Sequence, residues 1–499
     1  MVRTIVLGLA LWALISAPVL AEEGNIFLER SFWKTNPSVE VVKEKIAAGH
    51  DATELNQFAF DAVSWALIEK VDNSTILFLL QQEGNGVNKL THDGRTYIFW
   101  AAYRNNMEIM RHLIKNGAKT DIIDSHGYSL LNFAAVTGQK NPELYDFCIK
   151  HGSDPLQEKN REGANALLLV APFLKDFTMI DYFVEKGLSL ESTDNAGNGI
   201  FNYAAKNGNT EMLDQLIAKG VSYKGLTKEG GNAMITASQG TRSHTNTLET
   251  FQYLEKMGIE PNVTTKDGVT PLHALARKSK DLKLFRYFIE KGVDLNQKDE
   301  DGNTPFLRAA YNNNLECLKL MVQHDADVNL VNNKGQSPLM MAVRGNAPEV
   351  VAFLLENGAS ADLKDQEGNS LAYYLLESFK AEKQASFDKK REMLQAQKVN
   401  FADQQGNGNT LYHQAVLHND PAMLQAVAQM NIPINAKNKE GVTALHLAAM
   451  KSKDAQILKW LLEQGADKTI VTDFEETAYG LAQEKELLAK NNISIEFLK

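Results

Sequence analysis

Cysteine is scarce in this chain, which has only Cys148 and Cys317 among its 499 residues. Both lie in apolar helical patterns, YDFCIK and LECLKL, where cysteine behaves as a small hydrophobic residue. A disulfide framework therefore does not organise the fold, and we expect two buried, unpaired thiols. A catalytic thiol needs a nearby base and we identify none, so neither cysteine is predicted to be a catalytic nucleophile.

The chain also lacks an excess of positive charge, with a formal net charge of -10 and a pI near 5.7. Nucleic acids are bound through clustered Lys and Arg, so a general affinity for nucleic acid is excluded. Hydrophobic residues make up 44% and charged residues 23%, as in an ordinary folded protein with a sizeable core. Any basic binding surface must therefore be local.

Long hydrophobic runs are absent beyond the N-terminus. Residues 1–21 place Arg3 before an apolar stretch and end in small residues, which predicts a secretory signal cleaved near Ala21. The stretch is short for a transmembrane helix, which needs about 20 apolar residues. No cysteine lies near the cleavage site, so a lipid anchor is not expected there. We expect a mature chain without membrane insertion, exported to the periplasm or the secreted space.

Familiar catalytic and metal-binding motifs are missing as well. The sequence contains no phosphate-binding Gly-x-x-x-x-Gly-Lys loop, no Gly-x-Ser-x-Gly elbow, and no Cys-x-x-Cys or His-Glu-x-x-His motif. His413 and His418 are five residues apart, which is off the i, i+4 spacing of a helical metal pair. We predict no catalytic residues, no metal site and no cofactor.

What the chain does contain is a repeat. Turn glycines recur every 33 to 40 residues, most often every 33, at Gly94, Gly127, Gly163, Gly197, Gly230, Gly268, Gly302, Gly335, Gly368, Gly408 and Gly441. Each is followed by a short apolar helix pattern, a polar break, a second amphipathic helix ending near Gly, and a polar loop. This period predicts stacked helix pairs that bury their apolar faces against their neighbours.

The clearest copies begin GVTPLHALARKSK at Gly268 and GVTALHLAAMKSK at Gly441. Their Thr-Pro-Leu-His opening, small Ala pair and leucine-rich second helix closely resemble the ankyrin repeat. The resemblance implies an all-α solenoid of helix-turn-helix units joined by hairpin loops. It also implies that His273 and His446 are structural, because the opening histidine of this family hydrogen-bonds its own and neighbouring loops.

We count about fourteen units, including degenerate ends, with no linker rich in Pro, Gly or Ser to divide them. The prediction is one continuous solenoid over 22–499, with degenerate repeats at 22–90, clearer repeats at 91–473 and a C-terminal cap at 474–499. The copy from Gly163 keeps only an apolar skeleton. Two extensions, near 238–250 and 377–397, either contact a ligand or are neutral solvated insertions.

Ankyrin arrays bind partners through hairpin tips and through the exposed positions that close the first helix. Reading two such positions in each unit gives six Lys or Arg and one acidic residue. The predicted partner-binding residues are Tyr103, Arg104, Lys206, Arg277, Lys278, Tyr311, Arg344 and Lys451. They suggest a basic concave groove for an acidic protein surface, although solvated helix faces often carry Lys and Arg without such a role.

We therefore expect a non-enzymatic scaffold or adaptor that binds a protein partner outside the cytoplasm. One alternative is a secreted effector that acts on another cell through the same surface. A further alternative is an enzyme with an unrecognised site in one of the extensions. The sequence does not distinguish the partner or the oligomeric state, because fold alone does not determine function.

Overall fold

A computed structural model describes residues 24–499, and the predicted signal at 1–21 lies outside this part of the chain. Within the described residues there are 28 α-helices and no β-strand; a single isolated antiparallel bridge joins Val471 and Thr477. The predicted all-α solenoid is confirmed, and the helices follow one another as fourteen consecutive pairs. The chain divides into two compact units, one ending at Asn195 and the other beginning at Ala196.

The first unit contains ten α-helices in five pairs. They are α1 (Arg30–Trp33), α2 (Val39–Ala47), α3 (Ala62–Glu69), α4 (Asn73–Leu80), α5 (Tyr97–Tyr103), α6 (Met107–Lys115), α7 (Leu130–Val136), α8 (Pro142–Lys150), α9 (Ala166–Val170) and α10 (Thr178–Glu185). First helices pack on first helices, as in α3, α5, α7 and α9, and second helices pack on second helices, as in α2, α4 and α6.

The second unit contains eighteen α-helices in nine pairs. They are α11 (Ile200–Ala205), α12 (Thr210–Ala218), α13 (Ala233–Gln239), α14 (Leu248–Lys256), α15 (Pro271–Lys278), α16 (Leu282–Glu290), α17 (Pro305–Asn312), α18 (Leu315–Gln323), α19 (Pro338–Gly345), α20 (Pro348–Glu356), α21 (Leu371–Glu377), α22 (Gln384–Ala396), α23 (Leu411–His418), α24 (Pro421–Ala428), α25 (Ala444–Lys451), α26 (Gln456–Glu463), α27 (Ala478–Lys485) and α28 (Leu487–Lys490).

Short polar residues begin the first helices. Thr304 accepts a hydrogen bond from the backbone N–H of Leu307, and Pro305 occupies the first helical position, where its missing N–H removes no hydrogen bond. Small residues such as Ala309 and Ala310 are fully buried, so neighbouring helices approach closely. The Thr-Pro opening therefore begins the first helix, and the Ala pair allows close packing between repeats.

The turns between helices use left-handed backbone. Every turn glycine of the repeat has a positive φ, for example +76° at Gly268 and +74° at Gly335. The loop that follows the second helix needs the same conformation, and Gly292 and Gly358 supply it. Asp325 adopts a φ of 65° at the corresponding position of its own unit without being glycine.

Both cysteines are buried and unpaired, as expected. Cys148 lies in α8 and Cys317 in α18, and each is fully excluded from solvent. Burial raises the pKa of each thiol to about 12, so both remain protonated at neutral pH. These residues belong to the hydrophobic core of their units.

Two irregular copies have local explanations. α9 has only five residues, because Pro172 cannot continue the helix and the chain turns into a 3-10 helix at Ala171–Phe173. The extension near 238–250 is an ordered loop between α13 and α14. In it, the buried Asn246 side chain donates hydrogen bonds to the carbonyl oxygens of Ala205 and Ala237.

The second extension is helical and continuous with its unit. Residues 384–396 form α22, which has thirteen residues where most second helices have nine. A 3-10 turn at Ala381–Lys383 precedes it. Across residues 24–499, no helix combines the length and apolar character needed to span a bilayer.

Candidate functional site

The predicted site lies where the first helices end, and the carbonyl groups of these ends need donors. In several units a side chain from the following repeat supplies one. Asn313 donates to the carbonyl oxygen of Ala276 in α15 at 2.9 Å, and Asn346 donates to that of Ala310 in α17 at 3.0 Å. The stripe of predicted residues is therefore also a place where neighbouring repeats are held together.

In the first unit, Arg104 takes part in this capping. Its Nε donates to the carbonyl oxygen of Ile68 at the end of α3, at 2.6 Å, and its guanidinium lies 4.5 Å from the ring centre of Tyr103. Cations are favoured at helix C-termini, because the last carbonyl groups carry partial negative charge. Arg104 and Tyr103 are half-buried, so a structural role accounts for much of their placement.

In the second unit, Lys278 is placed in the same way. Its ammonium donates to the carbonyl oxygen of Gln239 at the end of α13, at 2.7 Å. Burial and the nearby Arg277 lower the pKa of Lys278. Lys206 is half-buried beyond the end of α11, and its ammonium lies 4.2 Å from the ring centre of Tyr203.

Four predicted cations are exposed, and three of them, Arg277, Arg344 and Lys451, lack the carbonyl contact that Lys278 makes. Each lies in the last turn of a first helix, namely α15, α19 and α25, respectively. Within residues 24–499, no hydrogen bond or ion pair engages their charged groups. They are the members of the predicted set whose charges are most available to a partner.

Tyr311 and Arg344 are brought together at one pocket. Tyr311 is 40% exposed, and its ring packs over Gly345, where an added Cβ would lie 2.5 Å from the ring and 2.6 Å from the Tyr311 carbonyl oxygen. The pocket has a volume of about 440 Å³ and continues over α21 and the N-terminal half of α22. Thus one extension does border a predicted binding residue.

Lys390 is a site residue that sequence reasoning missed. It is only 4% exposed, it lines the same pocket, and its ammonium donates to the carbonyl oxygen of Val343 in α19 at 2.8 Å. Its unit has Phe379 where neighbouring units have Asn313 and Asn346, so the usual capping amide is absent. The absence of this asparagine next to a lysine-rich extension is the sequence feature that could have indicated a lysine in the capping role.

The histidines of the repeat opening are structural, as predicted for His273 and His446. The backbone N–H of Thr270 donates to Nδ1 of His273, and Nε2 of His273 lies 3.1 Å from the carbonyl oxygen of Asn303 in the next hairpin. His446 repeats this arrangement with Thr443 and Ile470. Burial lowers the pKa of both imidazoles, to about 4 for His273.

His413 belongs to the same class, which the sequence analysis did not recognise. Thr410 and His413 form the same capping arrangement, and Nε2 of His413 lies 2.8 Å from the carbonyl oxygen of Val442. His418 instead faces Glu377, with 3.1 Å between Nε2 and Oε1. No cluster of three or more potential metal ligands occurs among the residues that the structure covers.

The family model for ankyrin repeats, described as three copies, matches residues 60–159, 234–331, 272–365 and 366–472. These matches cover more than half of the chain. The chain therefore belongs to the ankyrin-repeat family, whose arrays imply a protein–protein interaction scaffold.

Several curated proteins share part of the array. Palmitoyltransferase AKR1 of Saccharomyces cerevisiae is 33% identical over 95 residues, which cover 18% of this chain and 12% of that protein. The putative ankyrin repeat protein FPV219 of Fowlpox virus is 35% identical over 68 residues, which cover 14% of this chain and 15% of that protein. Phosphocholine transferase AnkX of Legionella pneumophila is 24% identical over 130 residues, which cover 26% of this chain and 14% of that protein.

The chain thus spans less than one sixth of the length of these curated relatives. Among solved structures, the Bd0816 predatory endopeptidase from Bdellovibrio bacteriovorus in complex with immunity protein Bd3460 matches with a TM-score of 0.31 and 26% identity. That match covers 37% of this chain and 96% of the matched one. Each of these four matches covers 37% of this chain or less.

Proposed function

We propose that this chain is a non-enzymatic scaffold that binds an acidic protein partner through the exposed ends of its first helices. The observation that carries the proposal is the exposure of Arg277, Arg344 and Lys451 without hydrogen-bond or ion-pair partners among the described residues. Exposed cations on a protein with an overall negative charge give a local attraction for acidic surfaces. Membership of the ankyrin-repeat family supports a protein as the ligand.

Export is part of the proposal. The N-terminal pattern of Arg3, an apolar stretch and small residues before Ala21 supports translocation and cleavage. The scaffold would then act in the periplasm or the secreted space. Edman sequencing of the mature protein from fractionated cells tests this: an N-terminus at Glu22 in the exported fraction is expected, and an intact Met1 in the cytoplasm would contradict it.

Binding is tested by affinity capture on the immobilised mature chain. In the test variant, Arg277, Arg344 and Lys451 are changed to Glu, which leaves the capping contacts of Arg104 and Lys278 in place. A matched control changes Lys256, Arg286 and Lys389, three exposed cations on second helices, to Glu. Both variants carry the same change in net charge.

The expected result is a partner retained by the natural chain and by the control but lost by the test variant. Its capture should also weaken as salt is raised, because exposed charges are screened. Equal loss in both variants would mean that only net charge matters, and retention by the test variant would place binding elsewhere on the array.

A further inference from the structure

The pocket beside Arg344 brings several positive charges together in one cavity. Its lining includes four basic side chains, Arg344, Lys380, Lys383 and Lys390, which come from two successive repeats. They surround a volume of about 440 Å³, within the range of small-ligand sites. Four cations around one cavity repel one another unless anions balance them.

The acidic side chains nearby do not provide this balance. Glu377 lines the pocket and contacts His418 at 3.1 Å, so its carboxylate offsets at most one of the four positive charges. Asp388, on the same helix as Lys390, is paired with Arg391 at 3.0 Å and also accepts from Gln384. Glu382 is exposed and is not part of the lining. The cavity therefore keeps a net positive charge.

Lys390 makes this site more than a group of surface lysines. Its side chain is held in place by α22 and by the hydrogen bond to the Val343 carbonyl oxygen, so its ammonium is positioned in advance. An ammonium has three N–H donors, and the contact with Val343 uses one of them. Burial and the nearby Lys383 lower the pKa of Lys390 to about 8, as expected for a cation without a counter-ion.

Polar groups for an anion accompany these charges. Ser386 lines the pocket and offers a hydroxyl donor, whereas the hydroxyl of Ser378, also in the lining, donates to the carbonyl oxygen of Leu375 at 2.6 Å. Ser386 lies in the first turn of α22, whose N-terminus has no side-chain cap and carries partial positive charge. Cations with adjacent hydroxyl donors are the chemistry that binds phosphate and carboxylate oxygens.

We propose that the pocket formed by Arg344, Lys380, Lys383 and Lys390 binds an oxyanion, either a phosphate or a carboxylate group. The group comes from a small anionic molecule or from an acidic side chain of a protein, and the same contacts serve both. Arg344 is shared with the proposed partner-binding surface, but Lys380, Lys383 and Lys390 are not part of it, so this inference does not depend on whether that surface binds a protein.

Isothermal titration calorimetry of the mature chain tests the proposal with two probes at constant ionic strength. The first is inorganic phosphate, and the second is the peptide acetyl-Glu-Asp-Glu-amide, with acetyl-Gln-Asn-Gln-amide as its neutral counterpart. Lys383→Gln and Arg344→Gln are the test variants, since both side chains are exposed and their loss leaves the fold intact. Lys389→Gln is the matched control, because Lys389 is an exposed cation next to Lys390 on α22 and does not line the pocket.

At least one charged probe should bind, and each test variant should weaken its binding about tenfold, the effect of losing one charge-assisted hydrogen bond. Lys389→Gln should leave the affinity unchanged. Binding of phosphate alone identifies a small anion as the ligand, and binding of the acidic peptide identifies a protein carboxylate. The proposal is overturned if neither charged probe binds, or if Lys389→Gln weakens binding as much as the test variants do.

Discussion

Nε2 of His413 lies 2.8 Å from the carbonyl oxygen of Val442, in the hairpin of the next repeat. His273 and His446 make the same kind of contact, and burial lowers the pKa of all three imidazoles below the usual value. The neutral imidazole is therefore the form that the folded array requires. Nδ1 accepts from the repeat's own backbone while Nε2 donates to the next repeat.

These histidines should make stability depend on mild acid. Because their folded pKa values are lowered, the stability they contribute is complete above about pH 6.5 and falls as the pH decreases toward 4, where the unfolded chain binds more protons. Urea unfolding at pH 7 and pH 5 should show a lower midpoint at pH 5. His273→Leu should lose about 1–3 kcal/mol at pH 7 and show a weaker pH dependence. His324→Gln, at an exposed histidine, is the control and should match the natural chain.

Loss of one capping amide should destabilise its unit. Asn313 is 4% exposed and donates to the carbonyl oxygens of Ala276 and Ser279, so Asn313→Ala leaves two buried acceptors without donors. The expected cost is about 1–3 kcal/mol in the free energy of unfolding. The neighbouring Asn312 is exposed, and Asn312→Ala should change stability by less than about 0.5 kcal/mol. Similar effects at the two positions in thermal unfolding would contradict the capping role.

Backbone conformation predicts opposite effects for two exposed loop residues. Gly358 has a φ of +82° with no atom within 4 Å of an added Cβ, so Gly358→Ala should cost about 1 kcal/mol through the backbone alone. Lys398 has a φ of 61°, and Lys398→Gly should stabilise by up to about 1 kcal/mol. Lys389→Gly, within α22, is the control and should destabilise by about 1 kcal/mol. The thermal unfolding midpoint of each variant, compared with that of the natural chain, shows whether the substitution stabilises or destabilises.

Lys390 should produce a pH dependence in the alkaline range. Its pKa is lowered to about 8 in the folded chain from an ordinary value of 10.5, so between these values the unfolded chain holds a proton that the folded chain has lost. Stability should therefore rise with pH across this window. Lys390→Met should remove the rise, whereas Lys389→Met, at an exposed neighbour, should keep it. A rise of equal size in both variants would argue against burial of the Lys390 charge.

The repeat architecture could be predicted because each copy satisfies the same local requirements. Gly268 and Gly441 mark left-handed turns, and Thr270 and Thr443 begin first helices, as their sequence positions indicate. Gly49 and Gly84, within the predicted degenerate repeats at 22–90, also have positive φ values. Such features depend on residues close in sequence, which one chain is enough to reveal.

The candidate site could be predicted only in part, because it depends on contacts between repeats. The sequence placed Arg104, Lys278 and Arg344 in one predicted set, yet Arg104 and Lys278 donate to backbone carbonyl groups and Arg344 does not. Lys390 lies 47 residues beyond its acceptor Val343, and no local pattern brings the two together. Which cation contacts a helix end and which stays without such a contact is decided by the neighbouring repeat.

The capping contacts run in one direction along the chain. The carbonyl oxygens of Ala276, Ala310 and Val343 accept hydrogen bonds from Asn313, Asn346 and Lys390, respectively. In each case the acceptor precedes its donor in sequence. A nascent chain therefore emerges with the end of its newest first helix incomplete until the following repeat has left the ribosome. Folding during synthesis must lag by one repeat, and the order in which the array is completed is the order in which it is translated.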